Sequence, residues 1–212
     1  MVREVQSFYS HWINYLARYY IMVKTIFYFN RAKELMNQFY ILTGAPGSGK
    51  TSMLAELAKR GFPVIDEPAR RVLAQQRLID GEGVYDKNPF LFKELMLSRM
   101  LYDYENAPKY DLVFFDRGLP DLIAYSKCFG LDIGSELKAS RINQYNSTVF
   151  FAPAWEQIYI NDEERQLSFE AAQVFENDLR QAYSELGYQL VDIPLTTVSE
   201  RVNFILKTIQ SV

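Results

Sequence analysis

Apolar residues fall into two patterns along this chain: short, nearly unbroken runs, and longer stretches in which they recur every three or four positions. The short, mostly apolar runs at 38–43, 62–66, 111–115, 148–152 and 188–193, interrupted by polar residues only in the last and at the ends of the others, predict strands, because a strand covered on both faces has no polar side to alternate with. The stretches at 52–60, 68–79, 89–106, 121–127, 135–141, 169–186 and 198–209 predict helices. In the longest of them, Phe90, Leu91, Leu95, Leu97 and Leu101 are among the apolar positions. Pro194 precedes the last helix, with Thr197 or Ser199 as its N-cap. Strands alternating with helices predict an α/β domain of three layers, a mostly parallel five-stranded sheet between helices.

Residues 1–37 do not share this pattern. They are crowded with Phe, Tyr and Trp, and Arg3, Arg18, Lys24, Arg31 and Lys33 outnumber Glu4 and Glu34. Trp12, Leu16, Tyr20, Val23 and Phe27 follow helical spacing. Three readings stand side by side: an artefact ahead of a natural start at Met36, an extra helix packed on the domain, or an amphipathic helix on a membrane surface or partner. Domain organisation is therefore read as an atypical extension, 1–37, followed by one domain, 38–212.

Composition narrows the chemistry. A formal charge of -3 argues against a general nucleic-acid binder. One cysteine, Cys128, and one histidine, His11, exclude an internal disulfide and a zinc ligand set. A reducing cytoplasm is the expected compartment, with Cys128 a packed thiol.

The stretch after the first strand carries the most specific signal. Gly44, Ala45, Pro46, Gly47, Ser48, Gly49, Lys50 and Thr51 match G-x-x-x-x-G-K-[ST], the Walker A phosphate loop, between a strand and a helix that opens with Ser52. Such a loop turns successive backbone N–H groups toward a polyphosphate at the positive end of a helix. Lys50 is then expected to reach the β- and γ-phosphates of ATP or GTP, and the Thr51 hydroxyl to hold Mg²⁺.

In a parallel sheet, ligands bind beyond the carboxyl ends of the strands. The second strand delivers Asp66, Glu67, Arg70 and Arg71 there. Glu67 either takes the proton of an attacking hydroxyl or stabilises a helix N-terminus; of the two arginines, one is expected to face the phosphates. The third strand delivers Asp116, in the form of a Walker B carboxylate that orients Mg²⁺, and Arg117, a substrate-side cation. Beyond the fourth, Trp155 is read as core or cleft wall, and Arg165 lies in a charged stretch that reads as a lid reaching the transferring phosphoryl group or as solvated surface. The fifth ends in Asp192, and Arg201 in the last helix is given little weight.

Taken in order, Thr43 to Thr51, Glu67 with Arg70, Asp116-Arg117-Gly118, Pro153-Ala154-Trp155 with Asp162 and Arg165, and Gly187-Tyr188 running to Pro194 resemble the NadR/Ttd-like AAA-type ATPase domain family, over roughly 38–210. The resemblance implies a nucleoside-kinase-like P-loop NTPase fold, ATP or GTP with Mg²⁺, and a small-molecule phosphate acceptor. By position it implies phosphate and metal roles for Lys50 and Thr51, metal or acceptor-hydroxyl contact for Asp116, and a lid role for Arg165. The expected activity is transfer of the γ-phosphoryl group to a hydroxyl of a nucleoside-like or other small metabolite. The alternative is a nucleotide-dependent switch that engages a protein or membrane partner, for which the aromatic, basic segment 1–37 is the feature in favour.

Overall fold

The structure is a computed structural model, which describes residues 38–109, 111–159 and 168–211 together with Tyr20 and Lys24. The rest of segment 1–37 and Arg165 lie outside the described residues.

Five strands form one sheet: β1 (Phe39–Gly44), β2 (Val64–Ile65), β3 (Val113–Asp116), β4 (Thr148–Ala152) and β5 (Gln189–Asp192). Their order is β2-β3-β1-β4-β5, and every pairing is parallel. The helices are α1 (Lys50–Lys59), α2 (Pro68–Leu78), α3 (Pro89–Asn106), α4 (Leu119–Cys128), α5 (Gly134–Ile142), α6 (Phe169–Glu185) and α7 (Val198–Gln210), with a short 3-10 turn at Glu156–Ile158.

The apolar runs have a direct structural cause. Along β1, Phe39 and Ile41 point to one face and pack with Val113, Phe115 and Val149 beneath α2, α3 and α4. Tyr40 and Leu42 point to the other and pack with Phe114 and Phe150 beneath α1 and α7. Both faces are covered along β1, β3 and β4, whose polar residues, Thr43, Asp116 and Thr148, stand at or next to strand ends. The edge strand β5 exposes Gln189 and Asp192. A third cluster, around Ile123, Phe151 and Leu179, seats α6 against α4.

Boundaries differ from expectation mainly at the edges. The apolar run at 62–66 pairs only through Val64 and Ile65, because β2 is an edge strand entered past Pro63. Helix α1 begins at Lys50 rather than Ser52, because Gly49 caps it in the left-handed conformation, φ 82°. At α7 the expected cap is present: Thr197 accepts from the Glu200 N–H, and the Glu200 side chain accepts in return from the Thr197 N–H.

The topology fixes where a ligand can sit. The chain runs from β3, on one side of β1, to β4 on the other, and a crevice opens where the connections diverge. That place is the carboxyl end of β1, directly before the phosphate loop. No helix among the described residues is long and apolar enough to cross a membrane.

Candidate active site

The loop leaves β1 at Gly44, where φ is +131° and a Cβ would stand 2.0 Å from the Ala152 carbonyl oxygen of β4. Any side chain there must displace a buried strand. Gly44→Ala is expected to cost about 1–3 kcal/mol from backbone strain alone, with the steric clash added. Urea unfolding monitored by circular dichroism measures it, and a loss under about 1 kcal/mol would contradict the close approach.

Gly44 and Ala45 stand beneath the loop and offer their carbonyls to Lys50, whose ammonium donates to them at 3.0 and 2.7 Å and to Ser48 Oγ at 3.3 Å. Burial, reinforced by the charge of Arg117, pushes Lys50 down to about 7 against the pull of Asp116 and Glu67. Pro46, Gly47, Ser48, Gly49, Lys50, Thr51 and Ser52 line a cavity of about 1310 Å³. Arg201 closes the loop from behind: its side chain is buried, Nη1 donates to Ser48 O at 2.9 Å, and its guanidinium lies 5.7 Å from the Trp155 ring centroid. Both residues line the same cavity.

Beside the loop lies a dense charge cluster. Arg117 adopts φ +72°, a conformation costly for a side chain with a Cβ, and its N–H donates to Leu42 O at 3.1 Å. Its side chain donates through Nε to Glu67 Oε1 and through Nη1 to Asp121 Oδ1, both at 2.9 Å. Burial works against the Arg117 charge, but Glu67, Asp121 and Asp116 hold it protonated beyond its ordinary range. Burial alone would raise Glu67; Arg117 and Lys50 outweigh it and hold that carboxyl at about 2. Asp116, with burial and Glu67 acting together, is pushed up to about 6 despite Lys50 and Arg117.

These contacts separate the sequence readings. Glu67 occupies the N-cap position of α2 but makes no side-chain cap hydrogen bond. Its carboxylate faces Arg117 and Arg70 instead, the latter at 3.4 Å. Arg70 lines the cavity, whereas Arg71 does not: it is turned to the solvent side and paired with Asp66 at 2.8 Å. Asp192 is paired with Arg180 at 2.8 Å, away from the cavity. Cys128, expected to be packed, is exposed at the cavity rim; partial burial and then Asp178, to which it donates at 3.4 Å, push its thiol up to about 11. A thiol held that high is a poor nucleophile near neutrality.

The sequence reading missed Asp121, which lies in the first turn of α4 and is buried. Its place in the first turn of the helix that directly follows Asp116-Arg117-Gly118 was the available signal. An aromatic row was also unread. Tyr85, Phe92, Tyr125 and Phe129 follow one another with ring centroids 6.2, 5.8 and 4.7 Å apart, and all line the cavity.

A divalent cation fits beside the loop. Asp116 Oδ1 is buried with no hydrogen-bond partner among the described residues, and the Thr51 side chain opens on the same cavity. Both are hard oxygen donors of the kind Mg²⁺ takes. No group of three or more Asp, Glu, His or Cys among the described residues forms a cage. Such an ion would complete its shell with phosphate oxygens and water.

Several solved structures share this fold at low sequence identity. A deoxyadenosine kinase from M. mycoides, with dCMP and dCDP bound, is 15% identical, with 82% of this chain and 98% of that chain covered and a TM-score of 0.58. NadR in complex with NR is 17% identical, with 80% of this chain and 50% of that chain covered and a TM-score of 0.57. The shikimate kinase of Acinetobacter baumannii, with shikimate, is 17% identical over 82% of this chain and 93% of that chain, with a TM-score of 0.55. No curated protein matches the sequence. The sequence model of the AAA domain family matches residues 39–201, from the first strand through the phosphate loop to Arg201. With that match spanning most of its length, the chain belongs to the AAA domain family.

Proposed function

We propose that this protein is a Mg²⁺-dependent small-molecule kinase, which moves the γ-phosphoryl group of ATP, or of GTP, to a hydroxyl of a nucleoside-like or other small metabolite. Residues 38–212 form its catalytic domain and act in the cytoplasm. The observation that carries this reading is one cavity lined together by the loop, the charge cluster and the aromatic row. At about 1310 Å³ it exceeds the roughly 300–1,000 Å³ of a pocket for one small ligand. Its loop suits a polyphosphate, its aromatic row suits a flat ring, and the ionised groups suit the transfer between two bound molecules.

The division of labour follows from the charges. The loop N–H groups and Lys50 bind the phosphates. Thr51 and Asp116 hold Mg²⁺, which when bound offsets the negative charge of the β- and γ-phosphates. The acceptor oxygen attacks the γ-phosphorus while the bond to the β,γ-bridging oxygen breaks, leaving ADP. Glu67, fixed in its charged form at about 2, is too weak a base to hold a proton near neutrality; it orients the acceptor hydroxyl by accepting its hydrogen bond. No strong base is required where the transition state is loose and the hydroxyl loses its proton late: the proton passes to an oxygen of the transferred phosphoryl group and from there to solvent. Arg70 and Arg117 are substrate-side groups, and Arg71 with its Asp66 partner plays no part. Arg165 remains the candidate to cover the transferring group from the segment beyond Trp155.

Asp116 supplies a pH signature. Its carboxyl is pushed up to about 6 in the metal-free site, so a proton competes there with Mg²⁺ and, at limiting Mg²⁺, activity falls as pH drops toward that value. Asp116→Asn is expected to lower Mg²⁺-dependent ADP formation by about 100-fold or more and to abolish that acid limb. Rates of ADP formation from pH 5 to 8, with a panel of nucleosides and small hydroxylated metabolites, test both. An Asn variant with wild-type rates and the same pH profile would remove Asp116 from the site.

A further inference from the structure

Asp121 accepts more hydrogen bonds than any role as a helix N-terminal residue requires. Oδ1 accepts from Thr43 Oγ1 at 2.7 Å and from Arg117 Nη1 at 2.9 Å; Oδ2 accepts from the Gly118 N–H at 2.9 Å and from the Tyr183 hydroxyl in a short contact. These donors come from the residue preceding the phosphate loop, from the turn after β3, and from α6. Asp121 itself is 4% exposed. One buried carboxylate thus joins the three elements that frame the charge cluster.

From this geometry we infer that Asp121 is a positioning residue for the kinase reaction, holding the Arg117 guanidinium in the place from which it fixes the Glu67 carboxylate. Arg117 has a single charge and three carboxylates around it, Glu67, Asp116 and Asp121. Its fork is divided: Nε serves Glu67, and Nη1 serves Asp121 and, at 3.3 Å, Gly44 O. Without the Asp121 charge, Nη1 keeps only that long contact to a carbonyl and, in Asp121→Asn, a weaker neutral acceptor. The guanidinium then turns more readily about Nε–Cζ and holds its Nε–Glu67 bond less firmly. Thr43 and Tyr183 in turn hold Asp121: Tyr183 is fully buried and packs edge-on against Tyr188, with ring centroids 5.6 Å apart, so its hydroxyl approaches from a rigid wall. Positioning of this kind matters because a misplacement of about 1 Å costs on the order of 100-fold in rate.

The inference rests on the kinase reading for its kinetic consequence, and the test separates the two. The nitrogen NMR spectrum of the Arg117 guanidinium, which needs no substrate, is expected to show separate, slowly exchanging Nη signals in the wild type and averaged ones in Asp121→Asn. Turnover of Mg²⁺·ATP with water as acceptor is the kinetic arm. There kcat is expected to fall about 10- to 100-fold in Asp121→Asn, with nucleotide affinity within about threefold of wild type. In an Arg117→Ala background the same substitution is expected to add less than about threefold, since a residue acting through Arg117 has nothing left to position. Tyr183→Phe, which removes only a hydroxyl from the far side of Asp121, is expected to fold and to lose about threefold to tenfold in kcat. Unchanged guanidinium signals in Asp121→Asn, or kcat losses that multiply with those of Arg117→Ala, would overturn the assignment. A wild type that turns over no nucleotide with water or with any hydroxyl acceptor would refute the kinase reading instead, and the NMR comparison would then decide the placement of Arg117 alone.

Discussion

Replacement of Lys50 by Ala is expected to reduce phosphoryl transfer by about 1,000-fold or more, with the fold retained. The ammonium is the one cation the loop places within its own curve, held between the Gly44 and Ala45 carbonyls and Ser48. Removing a preorganised group aimed at developing charge costs about 100- to 1,000-fold in comparable sites. Beside bound phosphates, which favour its protonated form, Lys50 carries a full charge where those carry a dipole. Retention of the fold follows from the sign of its perturbation. Burial lowers Lys50 from 10.5 to about 7, so between those values the unfolded chain binds the additional proton. Stability from this group therefore rises with pH across that window, and a neutral side chain removes the penalty at every pH. Lys50→Met, which keeps the volume, is expected to flatten the rise in stability between pH 7 and 10 while losing activity as fully as Ala. Thermal unfolding at several pH values reads the first effect and initial rates the second.

The largest effect on stability is expected at Arg117. Its truncation to Ala leaves Asp121, 4% exposed, and Glu67, 16% exposed, facing each other without the cation between them. Removing one partner of a buried pair costs about 3–5 kcal/mol: Asp121 is left charged and buried with only the neutral donors Thr43, Gly118 and Tyr183, and Glu67 with the longer contact to Arg70. For a chain of this size, that corresponds to a fall of roughly 6–20 °C in the unfolding midpoint. The pH dependence carries a further mark. Glu67 falls from 4.5 to about 2 on folding, so its contribution is present above 4.5 and is lost as pH falls toward 2. Arg117→Ala is expected to lose that acid dependence as well as the stability. Urea midpoints measured at pH 3 and pH 7 would show the wild type weakening between them more steeply than the variant. A variant as stable as wild type at pH 7 would contradict the central placement of Arg117.

How much of this was legible in the sequence depended on the range of the interaction. The loop between β1 and α1 was readable because its pattern resides in contiguous residues, and the strand-end positions of Glu67 and Asp116 followed from the parallel order of the sheet. Helix α3 and strand β4 have the predicted bounds because proline and turn residues delimit strong apolar patterns. Asp121 was not legible: three of its four donors are a residue of β1 seventy-eight positions away, the strained Arg117 and a tyrosine on α6. Arg201 reads in sequence as one more charge on a helix face, and only the packing of α7 against the loop buries it. The aromatic wall draws Tyr85, Phe92, Tyr125 and Phe129 from three separated segments, so no local period could announce it. Of the two arginines, of which one was expected to face the site, the helix brings Arg70 to the cavity and turns Arg71 away from it, a choice that two adjacent charges in sequence do not reveal.

The central claim is that the cavity brings a nucleoside triphosphate and a second, hydroxyl-bearing small molecule together for direct transfer. The most direct measurement incubates the full chain and Mg²⁺ with γ-³²P-labelled ATP, and separately GTP, against nucleosides and small hydroxylated metabolites. Label is followed into acceptor and into inorganic phosphate, with Lys50→Ala as the control. The account predicts that at least one acceptor takes up label well above the rate of hydrolysis, and that the control abolishes it. Tight, Mg²⁺-dependent nucleotide binding with no label reaching any acceptor would contradict the account and leave a nucleotide-dependent switch in its place.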